Sequence, residues 1–264
     1  MLKDITLGQY FPGNSIAHKL DPRTKILLVT LYIIALFSAK GWMGYAVMAV
    51  TLAACVKVSH VGLRALVRGL KPLVFIIAFT GILNMFFTPD THYLWEWGIL
   101  RVSVKGIENA LFMVIRIMLL VMGTFLMTYT TSPIRLTDGL ESLLNPLKKI
   151  HVPVHELAMM MAIALRFIPT LIEETDKIMS AQKARGADFD SGNIFQKAKA
   201  LVPILVPLFI SAFRRADELA TAMECRCYHG GEGRTKLHVL KYQRRDYVAL
   251  AGGVVILALV VVLR

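Results

Sequence analysis

Two stretches spaced 41 residues apart carry the side chains best placed to do work in this chain. Asp176-x4-Ala181-x2-Ala184-Arg185-Gly186 aligns with Asp217-x4-Ala222-x2-Cys225-Arg226-Cys227, and Ser180 falls opposite Thr221. Each copy sets one arginine between two small residues at the charged end of a long helical pattern. Arginine offers five donors in a fixed fork, fitted to carboxylates and helix-end carbonyls. Small flanks leave that fork unobstructed and let a partner surface approach the backbone. Ala184, Arg185, Gly186, Cys225, Arg226 and Cys227 are therefore candidate docking residues for a two-part protein partner. A plainer reading stands beside it, because arginine also favours helix C-termini through the macrodipole and the terminal carbonyls.

Other chemistry is poorly supported. The chain has no G-x4-G-K-[ST] phosphate loop and no dinucleotide glycine pattern, so no direct ATP binding is expected. Gly230-Gly231-Glu232-Gly233-Arg234 is glycine-rich with the wrong spacing. Neither H-E-x-x-H nor a paired C-x-x-C occurs, and Cys225-x-Cys227 reads as helix-end packing rather than a metal site. His151 and His155 are four apart, but Pro153 between them argues against a shared helical metal face. No catalytic residue, metal or cofactor is expected. Arg116 sits inside an apolar run, where a charge is costly and often functional; pairing with a bundle-facing acceptor is the simpler account.

Composition settles the class. Of 264 residues, 56% are hydrophobic and 18% charged, and the mean hydropathy is +0.58. A soluble domain carries roughly 25% charged residues. Three cysteines do not make a disulfide framework. Charge-poor runs cover Ile26–Ala39, Trp42–Val56, Pro72–Phe87, Ala110–Thr131 and Tyr247–Leu263. A full span needs about 20 residues. The first two runs are shorter, and either cross with snorkelling ends and a thinned bilayer or form a re-entrant hairpin. Leu157–Ile172 and Ala200–Phe213 are apolar but contain prolines and adjoin dense charge, and read as buried or interfacial helices. The expected fold is an all-α integral membrane protein, with about five transmembrane helices plus long amphipathic cytoplasmic coupling helices.

The net charge of +12 is a topology signal before it is a nucleic-acid signal. The N-terminal 25 residues carry four Lys/Arg, the link around Lys40 one, the link from Lys57 to Lys71 four, the link from Thr88 to Asn109 two, and Ser132 to Arg245 seventeen. High and low alternate, as five spans with the N-terminus cytoplasmic and the C-terminus outside would produce. Tyr93, Trp95 and Trp97 in the outer link suit a membrane interface. The first 25 residues hold acids and no apolar core, unlike a signal peptide. Asp21-Pro22-Arg23-Thr24-Lys25 reads as a simple helix start with inside charges.

Three regions follow: 1–131 with the N-terminal segment and four spans, 132–245 as a cytoplasmic coupling region, and 246–264 as the last span. Ser132 and Pro133 open a short helix to about Leu144, and Asn145-Pro146 ends it. Val154 to Lys183 predicts a helix of roughly 45 Å with a kink at Pro169. Gly186 to Gly192 is a loop, and Ile194 to Cys225 a second long helix bent by Pro203 and Pro207.

At these residues the chain resembles the transmembrane T component of energy-coupling-factor (ECF) transporters, the family that includes the membrane subunit of cobalt and nickel uptake systems. The resemblance covers nearly the whole chain. It is carried by Leu20-Asp21-Pro22-Arg23-Thr24-Lys25, Thr130-Thr131-Ser132-Pro133, Ala164-Leu165-Arg166-Phe167-Ile168-Pro169 and, most specifically, Ala181-Gln182-Lys183-Ala184-Arg185-Gly186. The family has two Ala-Arg-Gly-like motifs at the ends of its coupling helices. The first is intact here; the second is Cys225-Arg226-Cys227, where a cysteine must take the place of a glycine that tolerates positive φ. The resemblance implies a non-catalytic subunit of a cell-membrane importer. Arg185 and Arg226 would each dock in one of two ABC ATPases, and a separate membrane S component would capture a vitamin or metal ion. Membrane lipid is the other partner. A dedicated cobalt or nickel subunit is the nearest alternative. An integral membrane enzyme using His151 and His155, and a basic membrane scaffold without transport, are alternatives of other classes.

Overall fold

The computed structural model describes residues 10–88, 93–97, 100–187, 189, 193–231 and 239–263. Its contacts divide the chain into two compact units, one from Gly8–Leu143 with Leu240–Arg264, the other from Leu144–Val239. The first unit holds α1 (Ile16–Lys19), α2 (Pro22–Ser38), α3 (Gly41–Ser59), α4 (Leu63–Leu70), α5 (Val74–Phe87), α6 (Val104–Thr130), α7 (Pro133–Leu144) and α10 (Arg244–Val262). The second holds a 3₁₀ turn at Asn145–Ile150, then α8 (Val154–Ala184) and α9 (Ile194–Cys225). The protein is an all-α membrane protein. One antiparallel hairpin, β1 (Tyr93–Trp97) with β2 (Leu100–Ser103), interrupts it between α5 and α6.

The first unit is organised around α6, which packs against α2, α3, α4 and α5, while α10 lies along α2. Leu36, Met48, Leu66 and Val260 are fully buried at the centre. Close packing of the α2–α6 pair depends on Gly123. A Cβ there would stand 2.5 Å from the Tyr32 ring, and the Tyr32 hydroxyl donates to the Leu119 carbonyl at 3.0 Å. Small residues at helix contacts are the usual way membrane helices gain close packing. Arg116 is accounted for locally. Its Nε donates to the Tyr45 hydroxyl at 2.9 Å, and its guanidinium lies over the Phe37 and Tyr45 rings.

The Asp21–Lys25 stretch does more than start a helix. Asp21 caps α2 by accepting from the Arg23 N–H at 2.9 Å. The Asp21 N–H in turn donates to Asp246 Oδ1 at 2.9 Å, and Asp246 Oδ2 accepts from the Gln243 N–H at 2.8 Å. One buried carboxylate thus ties the start of α2 to the capping box of α10. Lys25 Nζ reaches the end of α6, donating to the Thr130 carbonyl at 2.8 Å and Thr131 Oγ1 at 3.0 Å. The Phe11 N–H donates to the neighbouring Tyr129 carbonyl at 3.0 Å. Helix ends leave unpaired N–H and C=O groups, and near lipid these must find protein partners.

Five helical stretches among the described residues are long and apolar enough to cross a membrane: Gly41–Ser59, Leu63–Phe87, Val104–Thr130, Val154–Ala184 and Arg244–Val262. Their apolar side chains point largely outward; Phe75 and Val248, for example, are 79% and 72% exposed. An apolar surface of that extent requires a lipid or protein cover. The set differs from the sequence expectation in three places. The charged link after Lys57 is itself helical, so the second of these stretches runs through α4 and a 3₁₀ turn into α5. The first expected span, α2, has 17 residues, about 26 Å of helix. The apolar half of α8, expected to be buried or interfacial, belongs to a helix of spanning length. α8 continues through Pro169, and α9 through Pro203 and Pro207. The interfacial role expected of the Tyr93, Trp95 and Trp97 side chains, and the basic turn beyond Gly231, lie outside the described residues.

If Asp246 holds two helix starts, Asp246→Ala strands the Asp21 and Gln243 N–H groups. Thermal unfolding in mild detergent should then show a loss of roughly 2 kcal/mol.

Candidate functional site

The two arginine ends have the same backbone. α8 stops at Ala184 with Arg185 at the cap, and Gly186 takes φ +85°. The Gly186 N–H donates to the Lys183 carbonyl at 3.0 Å, and the Ala187 N–H to the Gln182 carbonyl at 3.0 Å. That pair of bonds is the Schellman motif, with glycine at its left-handed position. α9 stops at Cys225 with Arg226 at the cap, and Cys227 takes φ +54°. The Cys227 N–H donates to the Glu224 carbonyl at 2.8 Å, and the Tyr228 N–H to the Met223 carbonyl at 3.1 Å. Cysteine therefore adopts the conformation that glycine holds in the first copy, at the steric cost of its Cβ.

The likeness extends into the preceding turns. Ser180 Oγ donates to the Asp176 carbonyl at 2.7 Å, and Thr221 Oγ1 to the Asp217 carbonyl at 3.0 Å. All four residues obey the 41-residue offset. So does the ion pair that joins the helices: Arg215 Nη2 meets Glu174 Oε2 at 2.6 Å, an acid in one copy against the base at the equivalent position in the other.

Ala184, Arg185, Gly186, Cys225, Arg226 and Cys227 are all exposed. Among the described residues, neither arginine side chain has an ion-pair or hydrogen-bond partner. Each guanidinium is thus offered outward from a rigid, internally satisfied helix end. The two ends do not sit side by side. Gln182 meets Pro203 and Glu174 meets Arg215, so α8 and α9 run in opposite senses where they touch and their C-termini diverge. From Pro203, beside the end of α8, to Cys225 is about 33 Å along an unbent α9. The sequence residues are brought into one unit as two separate points rather than one pocket.

Gln182 is a residue whose role the spacing did not reveal. Pro207 has no N–H, so the carbonyl four residues earlier, at Pro203, loses its helical donor. Gln182 Nε2 donates to that carbonyl at 3.3 Å. The gap was readable from Pro203 and Pro207 being four apart; which side chain fills it was not. The other candidates form no site. His151 ends the 3₁₀ turn at φ +61°, and His155 lies in the first turn of α8, its ring against Gly231. Among the described residues, no three His, Cys, Asp or Glu side chains gather around one point.

Left-handed backbone at both ends leads to opposite expectations. Gly186→Ala should destabilise the chain by about 1 kcal/mol, while Cys227→Gly should leave it as stable or raise stability by up to about 1 kcal/mol. Thermal melts of the two variants beside wild type decide it, and equal shifts of one sign would contradict the shared motif.

A family model described as CbiQ, cobalt transport protein, matches residues 13–237. The "Energy-coupling factor transporter transmembrane protein EcfT" of Ruminiclostridium cellulolyticum is 52% identical over 263 residues, covering 100% of this chain and 98% of the relative. The protein of the same name from Clostridium kluyveri is 56% identical over 250 residues, 94% of this chain and 93% of its own. That from Bacillus subtilis is 46% identical over 264 residues, 100% of both. With the whole chain aligned and both helix ends formed, this protein belongs to the CbiQ family and, within it, to the transmembrane energy-coupling subunits of ECF transporters.

Proposed function

We propose that the chain couples two cytoplasmic ABC ATPases to a membrane S component, and performs no catalysis itself. The observation that carries this reading is the repeated Schellman end. Two exposed arginines stand on the same capping motif, at diverging ends of one helix pair, which suits a two-fold ATPase dimer. The Glu174–Arg215 pair and the Gln182–Pro203 bond brace α8 against α9. ATPase closure that moves one docked end would therefore move the other helix too. Phe195, Phe209 and Phe213 leave an apolar surface on α9 uncovered within its own unit, which suits a membrane-protein partner. We place the N-terminus on the cytoplasmic side and the C-terminus outside, with residues 132–245 as the coupling region. The alternating Lys/Arg content of the links supports this.

The cargo is a vitamin or a metal ion bound by the S component. A dedicated cobalt system is the second reading, supported by the description of the family model.

Co-purification tests the docking. Tagged wild type extracted in mild detergent should bring down two ABC ATPases. Arg185→Ala or Arg226→Ala should each weaken that capture by about 2 kcal/mol, the scale of an interface anchor, and the Arg185→Glu, Arg226→Glu double variant should abolish it. Equal capture by the double variant would reduce both arginines to helix caps.

A further inference from the structure

An open cleft of about 670 Å³ lies within the first unit, outside the coupling helices. α2, α3, α6 and α10 form its walls, and residues of α1 close one end. The lining is almost wholly apolar, with two basic exceptions, Lys25 and Arg245. Both stand at the same end, where α2 and α10 begin and α6 finishes. From Lys25 the cleft follows α2 to Ala35, and from Arg245 it follows α10 to Ile256. Either path is about 15 Å at 1.5 Å per residue. That is half of a hydrocarbon core of roughly 30 Å, the depth of one leaflet.

The charges at the mouth are one-sided. Asp21 and Asp246, the nearest acids, are buried and occupied as caps, and neither lines the cleft. Lys25 is buried and holds Thr130 and Thr131. Arg245 is partly buried and rests on the Gln243 amide oxygen. Lys241 and Arg244 precede it, a basic run immediately before a membrane helix.

Deeper in the wall, Gly252 lies inside α10, where glycine weakens a helix relative to alanine. No protein atom requires it, because a Cβ there would meet nothing within 4 Å. Its neighbour Gly253, by contrast, packs on Leu28. Gly252 keeps space open that the chain does not fill.

We propose that this cleft seats one acyl chain of an anionic phospholipid from the leaflet on the Lys25 side, with its phosphate against Arg245. The depth fits an acyl chain, the lining fits hydrocarbon, and the basic mouth selects the headgroup. The site would make the packing of α2, α6 and α10 sensitive to lipid composition.

The test reconstitutes the full chain in nanodiscs of phosphatidylcholine and phosphatidylglycerol in equal parts, then extracts it in mild detergent and weighs the retained lipid by native mass spectrometry. Wild type should retain phosphatidylglycerol preferentially. Arg245→Gln should cut that preference about fivefold, the scale of one basic group at an anionic surface, and Gly252→Leu should lower retention of both lipids. Cys55, exposed and part of the lining, provides a second readout. Its maleimide labelling in the delipidated chain, read on its own peptide, should slow when phosphatidylglycerol is added. Unchanged retention in both variants, or labelling indifferent to phosphatidylglycerol, overturns the proposal. Should Gly252→Leu fail to fold, Arg245→Gln and the Cys55 labelling still decide it.

Discussion

The buried carboxylate of Asp246 is the interaction on which the first unit turns. A helix start presents N–H groups without partners, and next to lipid they cannot be left to water. Asp246 takes one such group from Asp21 and another from Gln243. Asp21, so held, caps α2, and Lys25 one turn later closes the end of α6. Three helix ends distant in sequence are fixed by a few charge-assisted bonds. The basic mouth of the lipid-sized cleft is built from the same ends.

The second unit meets the same requirement in another way. Its two helix ends satisfy themselves through Schellman bonds, so their arginine side chains need take no part in capping. The backbone closes each end and both side chains stand exposed, which is what the docking proposed for Arg185 and Arg226 requires. The cost appears at Cys227, which holds a glycine-like φ. A strained non-glycine residue persists only where its surroundings over-determine it, and here the two bonds of the motif do so.

Much of this was legible beforehand. The ends of α8 and α9, the start of α7 at Pro133 and the apolar runs all follow from local rules of capping, proline and glycine placement, and hydrophobic length. The matched spacing of Asp176, Ser180 and Arg185 with Asp217, Thr221 and Arg226 was likewise visible in one dimension. The role of Arg116 was half legible: its cost was clear, its partner Tyr45, 71 residues away, was not.

By itself, then, the sequence determined the class, the helices and the two arginine ends, because each depends on residues within a few turns of one another. The tertiary structure alone decided that Lys25 and Asp246 knot three helix ends together, that Gln182 fills the carbonyl freed by Pro207, and that the arginines diverge rather than converge. These depend on pairings across 21 to 225 residues, and no local pattern records which donor will meet which acceptor. Which helices reach spanning length also shifted, with α2 left out at 17 residues and α8 included, because hydropathy counts side chains while length is set by where caps and prolines let a helix end.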